Sequence, residues 1–427
     1  MSISASSHGV RHRRTLSRLL KDVLLVVVCL SIPAVAATYG GGNGTADAPF
    51  LIRTAEDFKM IGENPADWHK QFKLVNDIDL SGYSESNLQL IGRWVALGST
   101  ANQPFSGIFD GNGKTISNFS YKDLQRDFVG LFAHVVGEIR DLKLVRARVI
   151  ADKLGAGALV GCLERGDILD CSATKVDISG KDYVGGLVGS ADGNIHRSCS
   201  DGRVEGVLFV GGLVGHVGKG TIAHSYSKAQ VTGNESVGGL VGATTNEMSI
   251  VNSCYALGDV DGGAYVGGLV GQVAAGRVFR CYSAGQVSGN QFVGGLVGYQ
   301  RALAEVTASL WDLETSQQTK SVGGTGQTTV QMKSMDTFLA MNWDFYGTWT
   351  ICEGMNYPVL QWQIPLGDLC CPDGVNFLDF VWFAANWRHN NCRTINLNCE
   401  GADLDKSGSV EFRDLSVLAE NWLAGVE

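Results

Sequence analysis

The sequence predicts a mainly β protein: a parallel β-helix, or solenoid, with capping segments, plus a small α-helical, EF-hand-like domain at the C-terminus. Three observations predict it. The hexapeptide Val-Gly-Gly-Leu-Val-Gly begins at Val184 and returns at Val210, Val237, Val266 and Val293, at steps of 26, 27, 29 and 27 residues. Repetition at such a period marks a solenoid or an array. The segments around it are short, rich in Val, Ile and Tyr, and bounded by Gly, Asn and Asp, with no 3.6-residue period across a unit. Near the end, residues 403–414 carry the oxygen spacing of a calcium loop.

The chain opens with Arg11, Arg13, Arg14, Arg18 and Lys21, then an apolar run over 23–32, then Ala34-Val35-Ala36. That order reads as a secretory signal peptide, residues 1–36, cleaved after Ala36. The run falls short of the roughly 18 residues that a span needs, so no transmembrane span is expected after signal removal. Residues 1–36 hold five bases and one acid, so their loss takes the net charge from −9 to −13. A balance so acidic argues against nucleic acid and anionic membranes as partners and suits an extracellular protein that meets calcium.

Residues 37–128 are expected to form an N-terminal cap and the first coils. Residues 39–44 read as a flexible glycine-rich lead. Residues 49–52, 72–75 and 77–80 read as strands, and Thr54 with Asp57 three residues on reads as the start of a short helix that blunts the open end of the solenoid. Residues 105–116 read as strand, tight turn, strand. Asp77, Asp79 and Asp110 offer carboxylates; ordinary turn acids are the expected role, against a catalytic or metal pair.

Residues 129–308 are the repeat array. Weaker copies of the hexapeptide stand at 156–161 and 129–132, and an aromatic opens most units: Tyr183, Phe209, Tyr265 and Phe292, with Ser236 the exception. A unit of about 27 residues fits one coil, its strands stacking in parallel at about 4.8 Å. Strict alternation would put Val184, Gly186 and Val188 on one face and Tyr183, Gly185 and Leu187 on the other. Either the chain kinks at the glycines, or an apolar ridge is left outside, to be covered or used as a contact surface. The hexapeptide followed by Arg280-Cys281-Tyr282-Ser283 resembles the GLUG repeat of large bacterial surface and secreted proteins, some of them IgA-cleaving peptidases. The resemblance covers about residues 129–300 and implies a surface-exposed β-solenoid. It does not imply peptidase activity, since no His-Glu-x-x-His occurs in the sequence.

Cys162, Cys171, Cys199, Cys254 and Cys281 fall in the repeats, where stacked interior thiols are expected. Cys352, Cys370, Cys371, Cys392 and Cys399 cluster near the end, where disulfides are more at home in an exported chain. Residues 309–364 leave the period and are rich in aromatics, which suits a C-terminal cap; the rival is a carbohydrate platform of Trp311, Trp349 and Trp362.

Residues 365–427 form the calcium-binding module. Oxygen donors stand at loop positions 1, 3, 5, 9 and 12, namely Asp403, Asp405, Ser407, Glu411 and Asp414, with Gly408 at the sharp turn and the Ser409 carbonyl at position 7. Thirty-five residues earlier the pattern is echoed by Asp368, Asn376 and Asp379, and Ala384-Ala385-Asn386-Trp387 matches Ala419-Glu420-Asn421-Trp422. Two such loops, each followed by one helix, resemble a type I dockerin. The resemblance implies Ca2+ as the bound ion, with Asp403, Asp405, Ser407, Ser409 and Asp414 as ligands, Asp rather than Glu at position 12, and docking onto a cohesin-like scaffold through the helices. The first loop departs from the pattern, with Cys370 at position 3, Pro372 at 5 and Asp373 at 6. It either binds weakly, or relies on a disulfide, or uses Asp373 in a shifted frame.

The expected function is a secreted or cell-surface, non-enzymatic solenoid for adhesion or polysaccharide contact, attached through the calcium module to a scaffold or envelope component. The alternatives are a carbohydrate-active enzyme (glycoside hydrolase or polysaccharide lyase) built on the β-helix, and a structural surface-layer component.

Overall fold

The computed structural model describes residues 39–371, 373–393, 399 and 401–425; the signal-peptide assignment at 1–36 lies outside them. The repeats wind as a parallel β-solenoid of about seven turns, built from three parallel sheets of ten, eighteen and seven strands. The five hexapeptides lie side by side along one axis: Val184 pairs with Val210, Val210 with Val237, Val237 with Val266 and Val266 with Val293. Ala156, from the weaker copy, pairs with Val184.

The hexapeptide turns a corner. Asp182–Gly185 belongs to the largest sheet and Val188–Ala191 to the seven-stranded one, with a bend at Gly186-Leu187 between them. The bend breaks the alternation, so Val184, Leu187 and Val188 are all fully buried. Of the two outcomes left open by the sequence, this position takes the kink. Glycine is required because neighbouring backbone crowds the corner. A Cβ on Gly212 would meet the Gly239 carbonyl and the Ser227 hydroxyl, leaving no room for a methyl group.

The residue before each hexapeptide is left-handed at every turn: φ is +58° at Tyr183, +55° at Phe209, +57° at Ser236, +53° at Tyr265 and +53° at Phe292. Aromatic residues avoid this region, so a repeated instance marks a backbone that the packing over-determines. Ring stacking accompanies it, with centroids 5.5 Å apart for Tyr183 and Phe209 and 5.1 Å for Tyr265 and Phe292.

Inside the coil, Cys171, Ser198, Ser225, Cys254, Cys281 and Ser309 occupy equivalent places, one per turn. Each donates from its side chain to the carbonyl two residues back, at 2.8–3.2 Å. The Cys171, Ser198 and Cys281 amides in turn donate to the hydroxyl of the next turn. Cysteine and serine interchange here because each satisfies a buried carbonyl at nearly constant volume.

On the flank, Tyr226, Tyr255 and Tyr282 stack at 4.9 and 5.1 Å with nearly parallel rings. This flank, which the hexapeptide alternation does not include, is covered. Met332, Phe338, Trp343, Trp349, Ile351 and Leu360 close over it in one buried cluster. Tyr282 donates to the Pro358 carbonyl at 2.7 Å, and the Trp362 indole donates to the His224 carbonyl at 2.8 Å. The aromatic segment is thus a cover on the side of the solenoid. The terminal coil is continued by Leu310–Asp312 and Thr325–Gln327, which extend the largest sheet. Trp349 is fully buried and Trp311 only 5% exposed, so these two offer no ring face to a sugar.

At the other end, the helix Ala55–Glu63 starts at Thr54 with a reciprocal capping box to Asp57. It buries Phe58 against Phe109. The glycine-rich lead is not free, contrary to expectation. Tyr39 is buried and donates to Asp67, and the Leu51 amide donates to the Gly41 carbonyl at 2.8 Å, which occupies the otherwise unpaired edge of the first strand, Phe50–Ile52.

Candidate metal centre

The second acidic loop is built around three carboxylates. Asp403, Asp405 and Asp414 each place an oxygen within 4.8 Å of the others. Backbone amides hold them there. Ser407 N–H donates to Asp403 Oδ1 at 3.0 Å and to Asp405 Oδ1 at 2.9 Å, and Gly408 N–H donates to Asp403 Oδ2 at 3.0 Å. Asp405 N–H and Glu411 N–H donate to the two oxygens of Asp414, at 3.0 and 2.8 Å. The loop can close so tightly because Gly408 sits at φ +99°. Asp403 and Asp414 are buried, while Asp405 is exposed and its carboxyl is held low chiefly by the Ser407 hydroxyl. The Ser407 hydroxyl also lies 3.2 Å from the Ser409 carbonyl. Glu411 stands apart from the three carboxylates, half exposed beside Arg413.

The first loop repeats this plan with one shift. Leu369 N–H and Cys370 N–H donate to Asp379 Oδ1, and Asn376 N–H to Asp379 Oδ2, as the second loop does around Asp414. Gly374, at φ +90°, donates to Asp368 Oδ2 as Gly408 does to Asp403. Gly374 is six residues beyond Asp368, whereas Gly408 is five beyond Asp403. Asp373, just before the glycine, therefore takes the place of Ser407 and joins Asp368 and Asp379 in a cluster with the same 4.8 Å limit. Asp373 thus stands where a shifted frame would need it, and Cys371 of the same loop is held in a disulfide; Pro372 lies outside the described residues. Asp368 Oδ1 is buried without a hydrogen-bond partner, and burial, with Asp379 and Asp373 nearby, pushes its carboxyl up to about 6.

The two halves embrace about a pseudo-twofold. Val375 N–H donates to the Ala424 carbonyl and Leu423 N–H to Val375 O; 35 residues away, Val410 N–H donates to His389 O and Arg388 N–H to Val410 O, all four at 2.9–3.1 Å. The helices Phe377–Ala385 and Phe412–Glu420 bury Phe383 and Leu418 between the loops. Their outer faces leave Phe377, Leu378, Val381 and Phe412 exposed beside an apolar groove lined by Phe380, Leu415, Leu418, Ala419 and Trp422. Two disulfides join Cys352 to Cys371 and Cys392 to Cys399.

Both clusters are of carboxylates, the donors that calcium prefers, with the free Cys370 thiol beside Asp379 in the first. Three carboxylates so close repel one another, and a divalent cation between them relieves that repulsion. The other acids singled out from the sequence have turn roles: Asp77 accepts from Thr115 N–H, Asp79 from Ser81 N–H and the Asn118 amide, and Asp110 from Asn112 N–H and Arg140. His216 is on the seven-stranded sheet, away from His196 on the ten-stranded one. A buried His134, hydrogen-bonded to Glu164 at 2.7 Å, was not legible because 30 residues separate the partners.

The fold and these clusters define a parallel β-solenoid protein with a duplicated acidic loop–helix module. No family model matches the chain. It is 30% identical over 179 residues to halomucin of Haloquadratum walsbyi, covering 41% of this chain and 2% of that protein. It is 34% identical over 133 residues to a provisionally named Gly-rich membrane protein of Evansella cellulosilytica, covering 30% and 14%. The chain thus spans a small fraction of the curated relatives it matches. A crystal structure from Bacteroides ovatus, provisionally described as an immunoglobulin A1 protease, superposes with a TM-score of 0.51 at 19% identity, over 76% of this chain and 96% of that one. At that identity the likeness speaks for the solenoid fold alone.

Proposed function

We propose that the chain is a secreted or cell-surface, non-enzymatic β-solenoid for adhesion or polysaccharide contact, attached through a dockerin-like calcium-binding tail. The observation that carries this reading is the duplicated loop–helix module, with its two oxygen clusters and its exposed apolar helix faces. Asp403, Asp405, Asp414, Ser407 and the Ser409 carbonyl hold one calcium, with Glu411 reaching it through water. Asp368, Asp373 and Asp379 hold the other. A bound calcium supplies positive charge and fixed geometry, and so stiffens the helix pair that presents Phe377, Val381 and Phe412 to a cohesin-like scaffold or envelope component. The GLUG-like repeats and the names of the curated relatives suit a surface role for the solenoid. The test is a glycan array probed with the chain from residue 37 in calcium and in chelator, beside incubations with pectins, xylans and β-glucans. Glycan binding without new reducing ends or unsaturated products is the expected result. Product release overturns the non-enzymatic reading, and binding to no glycan overturns polysaccharide contact.

A further inference from the structure

The two acidic loops are near copies, but their disulfides are not. Cys392–Cys399 stays within the tail, whereas Cys352–Cys371 leaves it and reaches the aromatic cover of the solenoid. On the cover side, Cys352 follows Ile351, which is buried in the cluster with Trp349 and Tyr282, and its amide donates to Asn356 Oδ1 at 2.8 Å. On the tail side, Cys371 follows Cys370, whose amide donates to Asp379 Oδ1 at 3.1 Å, and the Cys371 carbonyl accepts from Asp373 N–H at 2.7 Å. The bridge is therefore next in sequence to the buried cluster at one end and to a carboxylate-holding amide at the other. Elsewhere the tail meets the solenoid across a cleft of about 180 Å³, lined by Tyr255, Gln363, Pro365, Asp368 and Gly374 among others.

We propose that the Cys352–Cys371 disulfide couples the first acidic loop to the aromatic cover, so that a divalent cation in that loop stiffens the cover over the tyrosine ridge. The proposal rests on the calcium reading above and adds a consequence to it: the tail is a clamp on the solenoid as well as an anchor. A cation bound only to the closed loop stabilises whatever must open with it. The cross-link extends that unit to Ile351 and Trp349, whereas the second loop has its bridge inside the tail and no covalent link of its own to the cover.

The experiment uses the full chain, with calcium as the probe, and reads amide hydrogen exchange over residues 335–351 beside calorimetric calcium titration. In the parent protein calcium slows exchange there several-fold. Asp379→Asn, which disables the first loop and leaves the disulfide intact, abolishes the slowing; Asp403→Asn, in the second loop, leaves it in place. The double variant Cys352→Ser/Cys371→Ser still binds calcium but no longer passes the effect to the cover. Calcium binding without slowing in the parent protein, or equal slowing in the Asp379→Asn variant, overturns the coupling while leaving the calcium reading intact. Should the serine variant fail to fold, the contrast between the two Asp variants decides alone. No heat of calcium binding overturns both readings at once.

Discussion

Asp403 accepts two amides through two oxygens and has little water of its own. Asp403→Asn keeps its size but removes the negative charge and turns one of the two accepting oxygens into a donor. The expected outcome is a loss of calcium affinity at the second loop of at least tenfold, about 1.4 kcal/mol, read by titration of the full chain. His216 works in the opposite sense. Its ring packs against Tyr183 and is hydrogen-bonded to Ser190 and Thr245, and burial pushes its pKa down to about 4. The unfolded chain, with an ordinary histidine near 6.5, therefore binds more protons than the folded one between those values. Folding stability should fall as the pH is lowered from about 6.5 to 4, and His216→Gln should flatten that part of the profile of melting temperature against pH.

An element survives or fails at its corners and its cover. Gly212 has backbone where a methyl would go, while Gly82 has nothing within 4 Å. Gly212→Ala should cost about 1–3 kcal/mol, as overpacking does. Gly82→Ala should be neutral or stabilising by about 0.4–1 kcal/mol. Denaturant melts of the two variants separate a corner that demands glycine from a loop that tolerates it. The cover is tested by Trp349→Ala. Trp349 is fully buried against Tyr255 and Tyr282, so its loss should cost about 3–5 kcal/mol and open the tyrosine ridge to a hydrophobic dye.

Across the whole molecule, one solenoid carries two kinds of aromatic ladder with different fates. The tyrosine ladder is roofed by its own chain. The ladder that includes Tyr265 and Phe292 is open, with Phe292 57% exposed. The covered ladder contributes to folding; the other is part-buried at Tyr265 and leaves its last ring, Phe292, on the surface. In the tail, the apolar helix residues Phe377, Leu378, Val381 and Phe412 remain exposed.

The sequence by itself determined the coil. A strand-and-turn unit repeated at nearly constant length has few ways to bury its valines other than by stacking on its own copies, and Val184 through Val293 do stack. It also marked Asp403, Asp405 and Asp414 as neighbours, because a twelve-residue loop brings them together whatever surrounds it. Three things were settled only by the tertiary structure. The kink at Gly186-Leu187 depends on the neighbouring coil's backbone; the roof over Tyr255 and Tyr282 depends on a segment some 50–105 residues further along; and the place of Asp373 depends on where Gly374 turns. Local spacing is written into the chain, but contacts between distant segments are decided by which surfaces the finished coil leaves to be buried.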